Sequence, residues 1–385
     1  MVRYQSHYTL TEQLTCYNLK VKRKKIALGM SGGVDSSLCA NLLVEQGYDV
    51  TGVFLECWRA PGCRTDKDRA DALQIALDLG IPFQVLDFKQ AYYDKVVAEF
   101  FAAYKAGVTP NPDIACNKEI KFGLFYDWAL AHEFNAVATG HYAKILENQL
   151  CVPQDVTKDQ TYFLYQLTQN QLQHIIFPLA ELTKPEVRAE AKKRKLAVSE
   201  KKDSVGICFI GDINVHKFLQ DELGENPGEV VDTKGTVIGK HQGLWFYTVG
   251  QRHGFTIDKK SLHTSTSGAV FEKENLPPFY VVAKQPETNR LVVGFGKETY
   301  GNSFAVAKPH WIDQSQTALQ VPAHKLFVRI RHTGKLLSCH VEQANAEVFV
   351  HLSEPIQGIA PGQSAVFYQQ NDLNILCLGG GVVSL

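Results

Sequence analysis

The sequence predicts an α/β protein whose first half is a doubly wound parallel sheet, followed by a small β-rich domain and a C-terminal β-barrel. Three observations carry this prediction. Strand and helix patterns alternate up to about residue 211, as in a parallel sheet covered by helices. A glycine-rich turn joins the first strand to the first helix. Short apolar runs separated by glycines follow, which is typical of antiparallel sheets and barrels.

Length and composition bound the class of protein. A chain of 385 residues predicts several domains. We expect an N-terminal extension at residues 1–24, the α/β domain at 25–211, the central domain at 212–291 and the barrel at 292–385. No apolar run approaches the roughly 20 residues that span a bilayer, so no membrane partner is expected. Nine cysteines without dense spacing or a secretion signal favour reduced thiols in a cytoplasmic enzyme.

The α/β half contains four strand patterns and the helices between them. The predicted strands are Lys25–Leu28, Asp49–Leu55, Phe83–Leu86 and Ala136–Thr139. The predicted helices are Leu38–Glu45, Asp66–Leu79, Tyr92–Tyr104 and Phe122–His132. A capping box at Thr183 begins one more helix. Because ligands of doubly wound sheets bind at the carboxyl ends of the strands, we expect the site there.

The second half is predicted as antiparallel β structure. Its β-like runs are Gly228–Val231, Gly235–Ile238, Leu244–Thr248, Phe279–Val282, Arg290–Val293, Phe327–Ile330, Ala346–His351 and Gln363–Tyr368. The segment Leu262–Gly268, rich in serine and threonine, is predicted as a flexible loop within the central domain.

Charge is unevenly placed although the net charge is zero. A net charge of zero does not indicate a nucleic-acid-binding protein, which usually carries an excess of basic residues. Cations outnumber acids from Lys184 to Lys202. Two interpretations stay open for this basic stretch: a solvated helix face or a contact with a phosphate backbone.

The first informative motif is Gly29-Met-Ser-Gly-Gly-Val-Asp-Ser-Ser37. Gly32 and Gly33 let the backbone approach a phosphate closely, and the following helix N-terminus supplies partial positive charge. The Gly-Lys-Ser/Thr ending of kinase and GTPase loops is missing. We therefore predict a phosphate-binding loop of a different kind, and the alternative is a turn that only joins strand to helix.

Two cysteines lie in the other informative stretches. Cys116 follows Thr109-Pro-Asn-Pro-Asp113, and a helix pattern begins near Asn117, so the helix dipole is expected to favour a thiolate at Cys116. Asp113 is near enough to act as acid or base. Cys208 lies where the alternating strand and helix patterns end and the short β-like runs begin. Lys201 and Lys202 would lower the pKa of Cys208 if they are close to it in space. Each cysteine taken alone is also consistent with a buried structural residue.

Taken together, these stretches resemble the tRNA-specific 2-thiouridylase family of PP-loop ATP pyrophosphatases, which thiolate the wobble uridine of tRNA. The resemblance covers roughly residues 25–385. The matching segments are Gly29–Ser36, Thr109–Phe122, Ala138–Tyr142, Lys158–Gln160, Tyr162–Leu164, Lys202–Asp203, Gly206–Gly211, Gly250–Arg252 and Pro361–Tyr368.

The resemblance implies roles for particular residues. ATP would be bound by Gly29, Met30, Ser31, Gly32, Gly33, Val34, Asp35, Ser36, Leu55 and Gly140. The target base would face Asn111, Pro112 and Asp113, with Asp113 as the acid or base. Contacts with tRNA would come from His141, Lys158, Asp159, Gln160, Arg331, His332 and Gln363. Cys208 would carry a persulfide. Cys116 would assist the release of sulfur from that persulfide and would form a transient disulfide with Cys208.

The implied chemistry is consistent with what thiolation requires. Adenylating O2 of the uracil turns a poor leaving group into AMP, and a persulfide then delivers sulfur to C2. The resemblance implies ATP and Mg²⁺ as cofactors, with no metal ligands predicted in the protein. It implies as partners the tRNAs for Lys, Glu and Gln and a sulfur-donor protein, either a cysteine desulfurase or a sulfur-relay protein.

Three alternative functions remain for a chain with these motifs. Other PP-loop synthetases adenylate a substrate and then use an amine, so they need no cysteine pair. An iron–sulfur cluster on Cys116, Cys208 and Asp113 would use the same thiols. A non-catalytic RNA-binding protein would not need both cysteines. Cys57 and Cys63, after the second strand, are predicted to belong to a loop without function rather than to a metal site or a bridge.

Overall fold

The structure is a computed structural model that describes residues 23–59, 63–203, 206–211, 213–258 and 278–384. Most of the predicted N-terminal extension and the predicted flexible loop at residues 262–268 lie outside the described residues. Among the described helices, none has the length and apolar character needed to cross a membrane.

The described part of the chain forms three sheets and a set of helices. The strands are β1 (Lys25–Gly29), β2 (Asp49–Glu56), β3 (Phe83–Asp87), β4 (Ala136–Ala138), β5 (Lys144–Leu146), β6 (Gln149–Cys151), β7 (Ile175–Ile176), β8 (Gly228–Val231), β9 (Val237–His241), β10 (Thr256–Ile257), β11 (Tyr280–Gln285), β12 (Arg290–Gly294), β13 (Tyr300–Trp311), β14 (Leu326–Arg329), β15 (Leu337–Ala344), β16 (Glu347–Gln357), β17 (Ser364–Gln370) and β18 (Ile375–Ser384). The α-helices are α1 (Val34–Glu45), α2 (Thr65–Leu79), α3 (Lys89–Tyr92), α4 (Ala98–Lys105), α5 (Pro112–Cys116), α6 (Phe125–Ala131), α7 (Gln169–Leu172), α8 (Lys184–Lys193) and α9 (Val215–Leu223). Two π-helical segments, Tyr93–Val97 and Asn117–Leu124, join α3 to α4 and α5 to α6.

The predicted parallel sheet is confirmed. Its strand order is β3-β2-β1-β4-β7, and all four pairings are parallel. Along β1, Ile26 and Leu28 belong to one apolar cluster and Ala27 to another, because successive side chains point to opposite faces of a strand. Both faces are therefore covered, as in a doubly wound sheet. The two-residue strand β7 was not predicted, since so short a run carries no pattern.

The helix that carries Cys116 begins earlier than the predicted Asn117. Asn111 caps α5, because its Oδ1 accepts hydrogen bonds from the N–H groups of Asp113 at 3.1 Å and Ile114 at 3.4 Å. Asparagine followed by proline is a favourable helix start. Cys116 is therefore the fifth residue of a helix that continues without a break into the π-helical segment.

The β-rich half forms two separate sheets, as predicted. The central sheet has the order β10-β9-β8-β12-β11. Because β12 belongs to it and ends at Gly294, we place the domain boundary between Gly294 and Tyr300 rather than at residue 291. The predicted strand Leu244–Thr248 is wrong: Leu244–Phe246 form a 3₁₀ turn that buries Leu244 and Phe246.

The C-terminal sheet is a closed barrel. Strands β13, β16, β15, β14, β17 and β18 follow one another, and β13 also pairs with β18. The short strands β5 and β6, which belong to the α/β half of the chain, extend the same sheet through a pairing of β6 with β18. The barrel is thus joined to the α/β domain by main-chain hydrogen bonds.

Candidate active site

The glycine-rich loop lies at the carboxyl edge of the parallel sheet. β1 ends at Gly29, and α1 begins after the N-cap Gly33, which provides no side-chain cap. Hydroxyl groups hold the turn: Ser36 Oγ accepts from Ser31 N–H at 3.2 Å, and Ser37 Oγ donates to Gly33 O at 2.8 Å. The first N–H groups of α1 therefore face this edge, where they can bind an anion.

Two glycines let neighbouring backbone segments approach this helix end closely. Gly32 has φ +69°, and a Cβ there would lie 2.1 Å from Asp68 O. A Cβ at Gly140, after β4, would lie 3.1 Å from Ser36 N. Glycine is therefore required at both positions by the packing of the loop against its neighbours. Four side chains among the predicted nucleotide contacts are buried in this structure: Met30 (2% exposed), Val34 (3%), Ser36 (3%) and Leu55 (7%).

An ionic network joins this loop to the segment that precedes Cys208. Lys184 Nζ lies 2.7 Å from Asp35 Oδ1 and 3.0 Å from Asp203 Oδ1. Lys201 Nζ donates to Gly32 O at 2.8 Å. Residues 201–203 are therefore attached both to the loop backbone and, through Lys184, to the loop carboxylate. Sequence reasoning did not assign Lys184 or Asp203 to the site.

Cys208 lies in a tight hairpin. Ile207 and Gly211 pair with each other through N–H···O distances of 3.1 and 2.8 Å. Two side chains of the α/β domain hold the hairpin in place: the Tyr92 hydroxyl donates to Cys208 O at 2.6 Å, and Asp113 Oδ1 accepts from Cys208 N–H at 2.9 Å. Asp113 and Cys208 are thus brought together although they are far apart in sequence.

The surroundings of the two thiols shift their pKa values in opposite directions. The pKa of Cys208 is lowered because the Cys116 side chain hydrogen-bonds to it and because Lys121 Nζ lies 3.5 Å from its Sγ, and these effects outweigh its burial. The pKa of Cys116 is raised well above its ordinary value, mainly by complete burial and also by the same hydrogen bond. Burial lowers the pKa of Lys121, but the neighbouring Cys208, Cys116 and Asp113 raise it, and the net pKa lies above the ordinary value for lysine. The arrangement favours a thiolate at Cys208, a thiol at Cys116 and an ammonium group beside them.

This arrangement corrects two expectations. The thiolate is expected at Cys208 rather than at Cys116, because Cys116 is buried within a continuous helix and not exposed at its end. The cation beside Cys208 is Lys121, whereas Lys201 is held by Asp68 and Asp71 at 2.7 and 2.5 Å.

A buried histidine supports Lys121. His141 is 8% exposed, its Nδ1 lies 2.8 Å from Thr139 Oγ1, and its Nε2 lies 3.5 Å from Lys121 Nζ. Burial and the charge of Lys121 lower the pKa of His141 well below its usual range. An ammonium group can only donate, so Nε2 accepts and Nδ1–H donates to Thr139. His141 therefore orients Lys121 as a neutral imidazole.

A third cysteine lies close to this group. Cys57 directly follows β2 and is 1% exposed. Burial raises the pKa of Cys57, and the charges of Lys121 and Cys208 act on it in opposite directions. Cys57 is therefore buried beside the two thiols, and the expectation that it has no function stays a prediction. Its position at the carboxyl end of a parallel strand was the available signal.

The residues expected to contact tRNA differ in accessibility. Asp159 is 3% exposed, and its carboxylate lies 2.7 Å from Arg329 Nη1. Like the buried His141, it is not accessible to RNA in this conformation. Lys158 Nζ lies 3.3 Å from Asp203 Oδ2, and Gln160 Oε1 accepts from Tyr142 N–H at 2.9 Å.

The expected tRNA contacts of the barrel lie nearer the base-facing loop. Gln363 Nε2 donates to Thr109 O at 2.8 Å, so the barrel holds the start of the Thr109–Asp113 loop. His332 packs on Phe163 with ring centroids 4.2 Å apart. Arg331 is exposed and donates to Gly358 O at 2.9 Å.

The basic helix α8 is largely neutralised by acidic neighbours. Arg194, which follows α8, contacts Glu45 and Glu190, and Arg188 contacts Asp203. Lys192 and Lys193 remain 57% and 74% exposed at the side chain. The part of this stretch that is available to a phosphate backbone is therefore smaller than the sequence indicates.

Three family models match successive parts of the chain. Residues 24–212 match the model described as tRNA methyl transferase HUP domain, residues 216–295 the tRNA methyl transferase PRC-barrel domain, and residues 302–383 the aminomethyltransferase beta-barrel domain. These three ranges follow the three sheets described above.

The chain is also similar to curated proteins over most of its length. The tRNA-specific 2-thiouridylase MnmA of Listeria monocytogenes serovar 1/2a is 41% identical over 371 residues, which cover 93% of this chain and 94% of the relative. The protein of the same name from Pseudomonas fluorescens strain Pf0-1 is 38% identical over 374 residues, with 94% and 95% covered. Among solved structures, the U34-tRNA thiolase NcsA from Methanococcus maripaludis with its [4Fe-4S] cluster has 21% identity and a TM-score of 0.33, with 46% and 59% covered.

Proposed function

Because this chain belongs to the tRNA-specific 2-thiouridylase family, we propose that it transfers sulfur from a persulfide on Cys208 to C2 of the wobble uridine, at position 34, after ATP has activated O2 of that base. The chain is a tRNA-uridine 2-sulfurtransferase whose PP-loop domain binds ATP. The observation that carries the proposed mechanism is the setting of the two thiols: Lys121 Nζ lies 3.5 Å from Cys208 Sγ, and the pKa of Cys208 is lowered while that of the buried Cys116 is raised.

The first half-reaction uses the glycine-rich loop. In the proposal, uracil O2 attacks the α-phosphorus of ATP, and pyrophosphate leaves with the electron pair of the broken P–O bond. The α1 N-terminus, whose first N–H groups have no side-chain cap, supports binding of the phosphates there. Mg²⁺ is usually held by one or two carboxylates together with substrate phosphates, but both oxygens of Asp35 at the loop are bound by Lys184 Nζ, at 2.7 and 2.8 Å, so Asp35 does not fit that role in this arrangement. When bound, Mg²⁺ would neutralise charge on the pyrophosphate.

The second half-reaction uses both thiols. The terminal sulfur of the Cys208 persulfide attacks C2, and AMP leaves with the C2–O bond pair. Cys116 then loses its proton and attacks Cys208 Sγ, which releases 2-thiouridine and leaves a Cys116–Cys208 disulfide. A thiol reductant must reduce that disulfide before the next turnover. The interaction between the two side chains supports this step, because it already holds the two thiols close together.

Asp113 is the proposed acid or base for the uracil ring. Its Oδ1 holds the Cys208 N–H at 2.9 Å, so one carboxylate positions the sulfur carrier and also faces the base. Asn111 and Pro112 form the start of the same helix and are proposed to line the base pocket. The exposed Arg331 and the half-buried His332 and Gln363 are proposed to contact tRNA, with those for Lys, Glu and Gln as substrates.

The iron–sulfur alternative receives less support from these residues. The two thiols lie close together, and Lys121 Nζ lies against Cys208 Sγ, where a thiolate ligand would have to meet iron. These side chains do not fit a cluster in this arrangement. Anaerobic purification followed by an optical spectrum separates the alternatives, because a cluster absorbs in the visible range and a persulfide enzyme is colourless.

Sulfur labelling tests the assignment of the two thiols. A sulfur-donor protein, either a cysteine desulfurase or a sulfur-relay protein, supplies labelled sulfur to wild type, Cys116→Ser and Cys208→Ser. We expect Cys116→Ser to retain the label and Cys208→Ser to lose it, while neither variant thiolates tRNA. A label on Cys116 with Cys208 dispensable for loading would reverse the assignment.

A further inference from the structure

The outer surface of the barrel carries a group of side chains that the thiolation mechanism does not use. His340 on β15 lies directly opposite His351 on β16 in the antiparallel register. Their rings are stacked with centroids 4.7 Å apart and an interplanar angle of 15°. Glu342 lies two residues after His340 on the same face of β15. One ligand atom from each of His340, Glu342 and His351 lies within 4.8 Å of the others.

The strands hold these side chains on a rigid base. Residues of β15 and β16 alternate between the barrel interior and the surface, so Cys339, Val350 and Leu352 are buried while His340 and Glu342 are exposed. Both strands are paired along this stretch, and β16 also pairs with β13 on its other side. The Cα positions are therefore fixed by the barrel, and only side-chain rotation remains to bring the ligand atoms together.

The chemistry of the group is that of a transition-metal site. Imidazole nitrogen and carboxylate oxygen are ligands of Zn²⁺, at about 2.0–2.2 Å, and imidazole also suits Cu²⁺ and Ni²⁺. Tetrahedral bonds of that length set neighbouring ligand atoms roughly 3.3 Å apart, which exposed side chains reach from 4.8 Å by small χ changes. Three protein ligands leave a coordination position open to solvent.

We propose that His340, His351 and Glu342 form a binding site for a divalent transition-metal ion, with Zn²⁺ as the representative ligand, on the outer face of the barrel. The site is independent of the thiolation proposal, because none of its residues belongs to the candidate active site. Within the described residues, no other group of His, Cys, Asp and Glu side chains meets the same distance condition.

The test measures Zn²⁺ binding by untagged full-length protein in competition with a chromophoric chelator. The comparison is between wild type and the double variant His340→Gln/His351→Gln, so that any Zn²⁺ bound by the cysteines cancels. We expect the double variant to bind one equivalent less. Glu342→Gln should bind at least about tenfold more weakly, since loss of even a supporting partner of a metal ligand costs about 10–100-fold.

The matched control is His324→Gln, which removes an exposed histidine elsewhere in the barrel domain. It should bind as wild type does. Zn²⁺ should raise the Tm of wild type and His324→Gln but not that of the double variant, because a ligand that binds only the folded state stabilises it. Equal binding by wild type and the double variant, or an equal loss in His324→Gln, would overturn the proposal. Circular dichroism of each variant checks that the barrel is folded.

Discussion

Replacing Lys121 by methionine should remove one of the two interactions that activate Cys208, the other being the hydrogen bond from Cys116. The change keeps the length and apolar stem of a half-buried side chain and removes only the ammonium group, whose Nζ lies 3.5 Å from Cys208 Sγ. An opposite charge at such a distance shifts a pKa by about 1–3, and each step of one in pKa corresponds to about 1.4 kcal/mol. We therefore expect the pKa of Cys208 to rise in Lys121→Met.

The assay is the rate of alkylation of Cys208 by iodoacetamide as a function of pH, followed by mass spectrometry of the peptide. Only the thiolate reacts, so the midpoint of the profile reports its pKa. At a pH below the midpoints of both proteins, Lys121→Met should react more slowly than wild type, roughly tenfold for each unit by which the pKa of its Cys208 is raised. Lys118→Met is the matched control, because Lys118 lies in the same π-helical segment and its side chain is 54% exposed. Lys121→Arg should restore part of the shift.

The same substitution has a consequence for stability. The pKa of Cys208 is lower in the folded protein than for an ordinary thiol, so its contribution to folding is present above the unfolded-state pKa and is lost as pH falls through the folded-state value. Lys121→Met should weaken that dependence. An unchanged alkylation midpoint in folded Lys121→Met would refute the reasoning, because the hydrogen bond from Cys116 would then account for the whole shift.

Three further predictions concern other parts of the site. Asp113→Asn should retain ATP and tRNA binding but lose about 10²–10⁴-fold in single-turnover thiolation, and a near-normal rate would reduce Asp113 to a structural role. Gly32→Ala should weaken ATP binding in a calorimetric titration, since its Cβ would lie 2.1 Å from Asp68 O. Unchanged affinity would show that the loop moves without cost. Lys192→Gln with Lys193→Gln should weaken binding to all tRNAs alike and reduce the salt slope by roughly 0.7–0.9 per lost contact, while an unchanged slope would leave a solvated face.

Local sequence determined the parts of the site that short motifs encode. Asn111 followed by Pro112 contains the cap and the first residue of α5, although the start was predicted too late. The glycine-rich motif placed the phosphate loop between β1 and α1 because Gly32 needs a positive φ that other residues rarely adopt. The apolar runs of β1 and β2 predicted a sheet buried on both faces. Each of these signals depends on neighbours within a few residues.

Tertiary structure decided which cation activates which thiol. Lys121 is five residues after Cys116, a spacing that does not share a face in an α-helix, and the π-helical segment that alters this has no sequence signature of its own. Lys201, which is near Cys208 in sequence, instead binds Asp68 and Asp71.

Other members of the site depend on contacts between segments far apart in the chain. Cys57 and Lys184 come from the end of β2 and the start of α8, and neither lies in a motif that pointed to sulfur transfer. The hairpin of Cys208 is held by Tyr92 and Asp113, which lie about a hundred residues earlier in the chain. The sequence by itself therefore determined the phosphate loop and the two cysteines, because local backbone preferences encode them. Only the folded chain decided their protonation, because charge and burial act through space.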